Sequence, residues 1–140
     1  MTNINIMIPV DVETAQATAS GNIITSGLYM IDTTGYQGTA EAGNELATPC
    51  NAGDVLVWTI DPINPSDNIA ISGFTGQCVA SNGSSVFQNL SAEETPAGVN
   101  YWTCVVNEGT KTATYQYSIN IKMSGKTYTY DPFVKVTANK

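Results

Sequence analysis

Histidine and arginine are absent from this 140-residue chain, and its charge rests on five lysines and twelve acidic residues. Without histidine, the Ser-His-Asp and Cys-His arrangements that activate a nucleophile cannot be assembled. A blue-copper site, which needs two imidazoles, is excluded in the same way. The G-x-x-x-x-G-K-[ST] phosphate loop and the G-x-S-x-G elbow are missing too. The few lysines form no basic footprint to displace counterions from phosphate, so nucleic acid is excluded as a partner. An anionic membrane surface is disfavoured for the same reason, and no apolar run approaches the length of a membrane-spanning helix. The three cysteines, Cys50, Cys78 and Cys104, are odd in number and contain no C-x-x-C pair. They read as buried thiols in a reducing compartment, with a Cys78–Cys104 bridge left open. With no histidine and no close cysteine pair, no tightly held zinc, copper or iron is expected, and no cofactor.

Apolar residues make up 42% of the chain and charged residues only 12%, so Thr, Asn, Ser and Gly carry most of the polar surface. β-Branched residues suit a pleated surface, and Asn, Gly and Ser suit tight turns, so this balance favours strands over helices. The net charge of −7 keeps a weakly charged surface soluble. No linker, charge block or repeat divides the chain, and residues 1–140 are expected to form one domain.

Alternation marks the strands. Residues 3–10 place Ile4, Ile6, Ile8 and Val10 on one face; this pattern, unlike the continuous run of a signal peptide, predicts a first strand in a protein not exported by the Sec route. Residues 22–32 predict a second strand, with Gly27 at a bulge. Residues 54–60 are apolar on both faces, as in a central strand. Residues 68–74, 77–80, 85–90 and 101–106 follow as candidates, those at 77–80 and 85–90 being the shorter ones. In the last third, Ala113, Tyr115, Tyr117, Ile119 and Ile121 line a long strand; Ser124-Gly125 turns it, and Asp131-Pro132 kinks the return. One helical competitor exists, over residues 12–20. The expected fold is an all-β, antiparallel two-sheet sandwich, jelly-roll or immunoglobulin-like, of roughly seven to nine strands with minimal helix.

Chemistry must come from carboxylates, amides, hydroxyls and aromatic rings. Paired carboxylates can hydrolyse glycosides, but most of the acids lie in turn-like settings where a solvated carboxylate is the default. The segment Asp61, Asn64, Asp67 and Asn68 concentrates oxygen atoms of the kind calcium takes, yet it misses the D-x-[DN]-x-[DN]-G pattern and carries two prolines; a plain turn is the simpler reading. Tyr29, Tyr36, Tyr101, Trp102, Tyr128 and Tyr130 are aromatics near polar partners. Rings stack on sugar faces while amides and carboxylates bind hydroxyls, so Asp32, Asp61, Asn64, Asp67, Asn68 and Tyr101 are taken as candidate glycan-binding residues. Many strand aromatics are simply core or cross-strand pairs. The stretch from Ala52 to Trp58 resembles the strand of copper-binding sandwiches, but without histidine only architecturally, which leaves Gly53-Asp54 as a turn and Trp58 as core. Asn82-Gly83-Ser84 and Asn89-Leu90-Ser91 match glycosylation sequons, without meaning in a chain that is not secreted.

Several pieces in order resemble the AidA/PixA family of bacterial inclusion-body proteins. They are Val10 to Thr14 with Asp11 and Glu13, Tyr29 to Asp32, Asn44 to Leu46 with Glu45, Gly53-Asp54 with Trp58, and Tyr130-Asp131-Pro132-Phe133. The resemblance implies a compact bacterial β-sandwich, associated with host interaction and with inclusions, and it implies no established reaction. The expected function is a non-catalytic binding or self-assembling protein, with a carbohydrate as the small ligand; a glycan-active enzyme and a storage or packing protein without ligand are the alternatives. A homo-oligomer and a cytoplasmic location, with inclusions where the resemblance carries, complete the expectations.

Overall fold

The computed structural model describes residues 2–35, 40, 42–79 and 85–139. Among them are eleven strands, one helix and one 3-10 turn. A five-stranded sheet joins β2 (Ile31–Asp32), β1 (Asn3–Val10), β4 (Val55–Pro62), β7 (Asn100–Val106) and β6 (Phe87–Glu94), in that spatial order. A second sheet runs β10 (Lys126–Tyr130), β9 (Ser118–Met123), β5 (Ile69–Thr75), and a third runs β3 (Ala47–Asn51), β11 (Phe133–Thr137), β8 (Ala113–Gln116). The second and third sheets form one layer, because β8–β9 and β10–β11 are the two arms of a long hairpin. That hairpin is bent where Tyr117 meets Pro132, whose carbonyl accepts the Tyr117 N–H at 3.0 Å. Pro132 has no N–H for the ladder, and Asp131 instead takes the Ser118 hydroxyl at 2.6 Å. At the hairpin tip, Ser124 and Gly125 both have positive φ, 53° and 75°, the conformation of a two-residue type I′ turn.

The core lies between the layers. Ile4, Ile6, Ile8 and Val10 on β1, Leu56 and Trp58 on β4, and Cys104 and Val106 on β7 face Ile119, Ile121, Met123, Tyr128 and Tyr130 across it. Trp58 is the hub. Its ring centroid lies 4.8 Å from Phe74, 5.2 Å from Phe87 and 5.9 Å from Tyr117, and its Nε1–H donates to the Tyr117 hydroxyl at 3.1 Å. The strand that is apolar on both faces is central, as its pattern implies: β4 pairs with β1 on one side and β7 on the other.

The sandwich and its strand number roughly fit the sequence reading, with eleven strands among the described residues against an expected seven to nine. The expected antiparallel pairing does not hold throughout, since β1 with β4 and β11 with β3 are parallel. Strand β3 escaped notice because Pro49 and Thr48 blur its alternation. Residues 22–32 make only isolated bridges before β2 (Ile31–Asp32). The cause is Gly27, which is less a bulge than a contact point. At φ +82°, a Cβ there would sit 2.7 Å from the Ala15 amide nitrogen, so the chain presses against the helix instead of running straight. That helix, α1 (Val12–Thr18), is the competitor realised, with Asp11 as its N-cap accepting the Thr14 N–H at 3.2 Å. Residues 77–79 form a 3-10 turn, not a strand, while Ala80 lies outside the described residues. The three thiols are free and buried, so no Cys78–Cys104 bridge exists. Among the described residues no helix is long and apolar enough to cross a membrane.

Candidate functional site

The end of β4, the start of β5, the start of β7 and the end of β6 surround a groove of about 470 Å³. The buried Trp58 is part of its lining, Ile60, Ile69, Ile71 and Trp102 supply further apolar wall, and Asp61, Asp67, Asn68, Glu93, Asn100 and Tyr101 bring the polar groups. Register explains the convergence. Trp58 pairs with Trp102 across β4 and β7, and Glu93 and Glu94 pair with Tyr101 and Asn100 across β6 and β7. Residues from 6 to 44 positions apart in sequence therefore meet.

Polar atoms on this lining are unspent. The carboxylates of Asp61 and Asp67, the amides of Asn68 and Asn100 and the Tyr101 hydroxyl make no hydrogen bond or ion pair with the described residues. Glu93 accepts only the Ser91 hydroxyl, at 2.9 Å. The Trp102 indole N–H is committed to the Ile71 carbonyl at 3.2 Å, and its ring packs 5.3 Å from Phe74. Trp102 is thereby fixed as an apolar surface rather than a donor.

Four of the six candidate ligand residues, Asp61, Asp67, Asn68 and Tyr101, thus share one groove. Asn64 does not join them: its side chain accepts the Ser66 N–H at 3.1 Å and its carbonyl the Asp67 N–H at 3.0 Å, which makes it the plain turn that was the simpler reading. Asp32 is also elsewhere, buried on β2, where its carboxylate binds both the N–H and the hydroxyl of Thr34. Of the aromatics, Tyr128 and Tyr130 are core and Tyr29 is exposed, while Tyr36 and the sequon at 82–84 lie outside the described residues. Asn89 is exposed in the bulge of β6 at φ +56°. Sequence reasoning missed Glu93, Asn100 and the contribution of Trp58; only the β6–β7 register could have revealed the first two.

The motif residues are dispersed, and several have structural tasks. Asp11 caps α1, where its carboxylate also takes the Thr14 hydroxyl at 2.8 Å, and Glu13 stands exposed in the first turn. Glu45 is exposed in the turn before β3. Asp54 is buried and ties the chain start to the β3–β4 turn, accepting the Thr2 N–H at 3.0 Å and the Asn51 N–H at 2.8 Å. Asp131 and buried Pro132 make the bend described above, and half-buried Phe133 opens β11. A second hollow of about 340 Å³ lies beside Asp54, at the other end of β4. Both oxygens of the Asp54 carboxylate already accept backbone N–H groups, so it offers less chemistry. The thiols offer little as well. Desolvation first, and the neighbouring Asp54 charge second, push Cys50 up to about 12; desolvation and Cys50 push Cys78 up to about 12. Thiols held protonated in this way are poor nucleophiles at neutral pH.

Comparison with known proteins agrees with the fold. The family described as "Domain of unknown function (DUF8788)" matches residues 2–129. The crystal structure of a PixA inclusion body protein from Burkholderia cenocepacia J2315 superposes with a TM-score of 0.68 at 14% sequence identity, covering 99% of this chain and 95% of that one. No curated protein matches the chain in sequence. The ordered motif resemblance is thus matched at the level of fold, and the match over residues 2–129 makes this chain a member of the DUF8788 family.

Proposed function

We propose that this chain is a non-enzymatic binding protein whose inter-sheet groove takes a carbohydrate. The observation that carries the reading is the pairing of ring surface with unspent polar groups: Trp102 and Tyr101 line the groove beside the free amides of Asn68 and Asn100. Ring faces cover the apolar face of a sugar, and amides and hydroxyls exchange hydrogen bonds with its hydroxyls. Loop ends are where jelly-roll and immunoglobulin-like sandwiches present their sites. Binding is favoured over turnover because the chain has no histidine and so none of the Ser-His-Asp or Cys-His arrangements that activate a nucleophile. A glycan array, followed by titration of any hit and mass spectrometry of the recovered glycan, tests this. Saturable binding that weakens in Asn100→Ala and Tyr101→Ala, with the glycan intact, is expected. Cleaved product would make the chain an enzyme, and an array without hits would overturn the reading.

A second reading, self-association, is favoured by charge placement and by the fold's likeness to a protein named as an inclusion body protein. Lys122, Lys126 and Lys135 lie on the strands of the long hairpin and Lys111 just before it, and none lines the groove where Asp61, Asp67 and Glu93 meet. Edge-to-edge pairing is a poor route. Strands β5 and β6 carry register shifts, β3 contains Pro49, and the Gln77 side chain caps the Gln116 N–H of β8. Copies would therefore meet through oppositely charged faces. Sedimentation at low and high salt tests this: salt-sensitive oligomers are expected, and a monomer at every concentration would refute it.

A further inference from the structure

We propose that the outer face of the five-stranded sheet is an interface with a second copy of this chain, forming a symmetric, face-to-face dimer. Register aligns its outward side chains in rows. Ile31 pairs with Met7 and Met7 with Thr59; Val57 pairs with Asn5 on one side and Thr103 on the other. The Tyr29 N–H, bonded to the Pro9 carbonyl at 3.0 Å, extends the same alternation. The outer face of a sheet packed on one side only is normally polar. This one carries Met7, Tyr29, Ile31, Val55, Val57 and Val105, with Met7 and Tyr29 39% and 40% exposed. Its threonines spend their hydroxyls on the backbone: Thr103 donates to the Leu56 carbonyl at 2.9 Å, and Thr33 accepts the Asn5 N–H at 3.0 Å. No outward position from Asn3 to Pro9, from Tyr29 to Thr33 or from Val55 to Thr59 is charged. The outer face of the other layer is the contrast, for there Lys122 and Lys135 stand exposed beside Asn120, Gln116 and Thr127.

Two properties identify a second copy as the occupant. The first is charge. At a net charge of −7, copies repel wherever acidic surfaces meet; this face lets them approach with no ion to strip of water or to set against itself. The second is size. Five strands spaced about 4.8 Å apart, and the run from Asn3 to Pro9 at about 3.3 Å per residue, make a face of roughly 24 Å by 23 Å. Two such faces together cover about 1,100 Å², past the ~1,000 Å² of a specific interface. Stacked about 10 Å apart, they would repeat the packing of a sandwich between two copies. The dimer rests on neither the carbohydrate reading nor the charge-driven association above, and it is the unit that charged contacts would join further.

Sedimentation equilibrium of the full chain at high salt, where charge-driven contacts are screened, tests this. A dimer is expected to persist there. Val57→Lys, at the middle of the face, and Met7→Lys should each weaken it about tenfold or more, because two lysines would be buried against each other. Lys122→Glu, on the other layer, should leave it unchanged. Circular dichroism checks that each variant is folded; Met7 is already exposed, so its variant carries the test if Val57→Lys does not fold. A monomer at every concentration, or a dimer of unchanged affinity in folded Met7→Lys, would overturn the interface. So would a monomer that floats with phosphatidylcholine vesicles, since the face would then meet lipid. A high-salt dimer without larger species at low salt would uphold the interface and count against charge-driven association alone.

Discussion

Replacing Gly27 with alanine isolates the contact that turns residues 22–32 away from a regular strand. Two costs add at this position. An L-residue held at φ +82° loses about 1 kcal/mol relative to glycine. The new Cβ would also lie 2.7 Å from the Ala15 nitrogen, 3.0 Å from the Asp11 carbonyl oxygen and 3.1 Å from the Ala15 Cα. All three are backbone atoms of the capped start of α1, so no side chain can swing aside. The segment must move, straining the Asp11 N–H bond to the Gly27 carbonyl, now 2.7 Å; overpacking of this kind costs roughly 1–3 kcal/mol. The sum is about 2–4 kcal/mol, and at about 3 °C per kcal/mol for a domain of this size the melting temperature should fall by roughly 6–12 °C. Gly125→Ala is the control. It has φ +75° and nothing within 4 Å of the new Cβ, so only the conformational cost applies, or about 3 °C. Thermal unfolding followed by circular dichroism measures both. If Gly27→Ala falls no further than Gly125→Ala, the close approach is not what shapes this segment.

Other consequences can be checked on the same preparations. Tyr117→Phe strips the buried Trp58 indole of its acceptor and should cost about 1–3 kcal/mol; Tyr130→Phe removes a buried hydroxyl with no partner among the described residues and should be neutral or stabilising, so equal losses in urea titrations would refute the assignment of the bond. Asp54→Ala frees two backbone N–H groups from a carboxylate and should cost about 1.5–3 kcal/mol in the same assay; no loss would show that the turn holds itself. The thiols predict an alkaline limit. Cys50 and Cys78, pushed up to about 12, stay protonated in the folded chain while unfolded thiols ionise near 9, so the unfolded state binds fewer protons and stability falls between about pH 9 and 12, by about 1.4 kcal/mol per pH unit for each thiol. Urea midpoints that stay flat from pH 8 to 11 would contradict it.

Legibility followed the physics of each segment. Readable strands included those with one wet face, such as β1, where Ile4, Ile6, Ile8 and Val10 are buried and the residues between them are not, and β4, whose run is apolar on both faces. The hairpin was readable because its turn and kink need special residues, Ser124-Gly125 and Asp131-Pro132. Strand β3 and the run at 22–32 were not, because the first hides behind Pro49 and the second is decided by a tertiary contact with α1 that no local pattern encodes. The parallel pairing of β1 with β4 is likewise invisible, since alternation says which face is buried and nothing about the neighbour. In the groove, Asp61, Asp67 and Asn68 were legible because they cluster in one segment. Glu93 and Asn100 were not, because they reach the groove only through the β6–β7 register.

The residues that carry the family likeness and those that line the groove overlap only at Trp58, and that separation bears on function. Asp11, Asp54, Asp131 and Pro132 cap a helix, fasten a turn and bend a hairpin. These are demands of the backbone, and any sequence that folds this way must meet them. Asp61, Asp67, Asn68, Glu93 and Asn100 meet no such demand; the side chains of four of them make no polar contact with the described residues. Fold and ligand are therefore written in different residues. The PixA-like fold supplies a groove with Trp58 in its lining, and the other groove residues lie outside the motif set, so under the proposed reading differences in ligand among chains of this fold must arise in the groove residues and not in the motif.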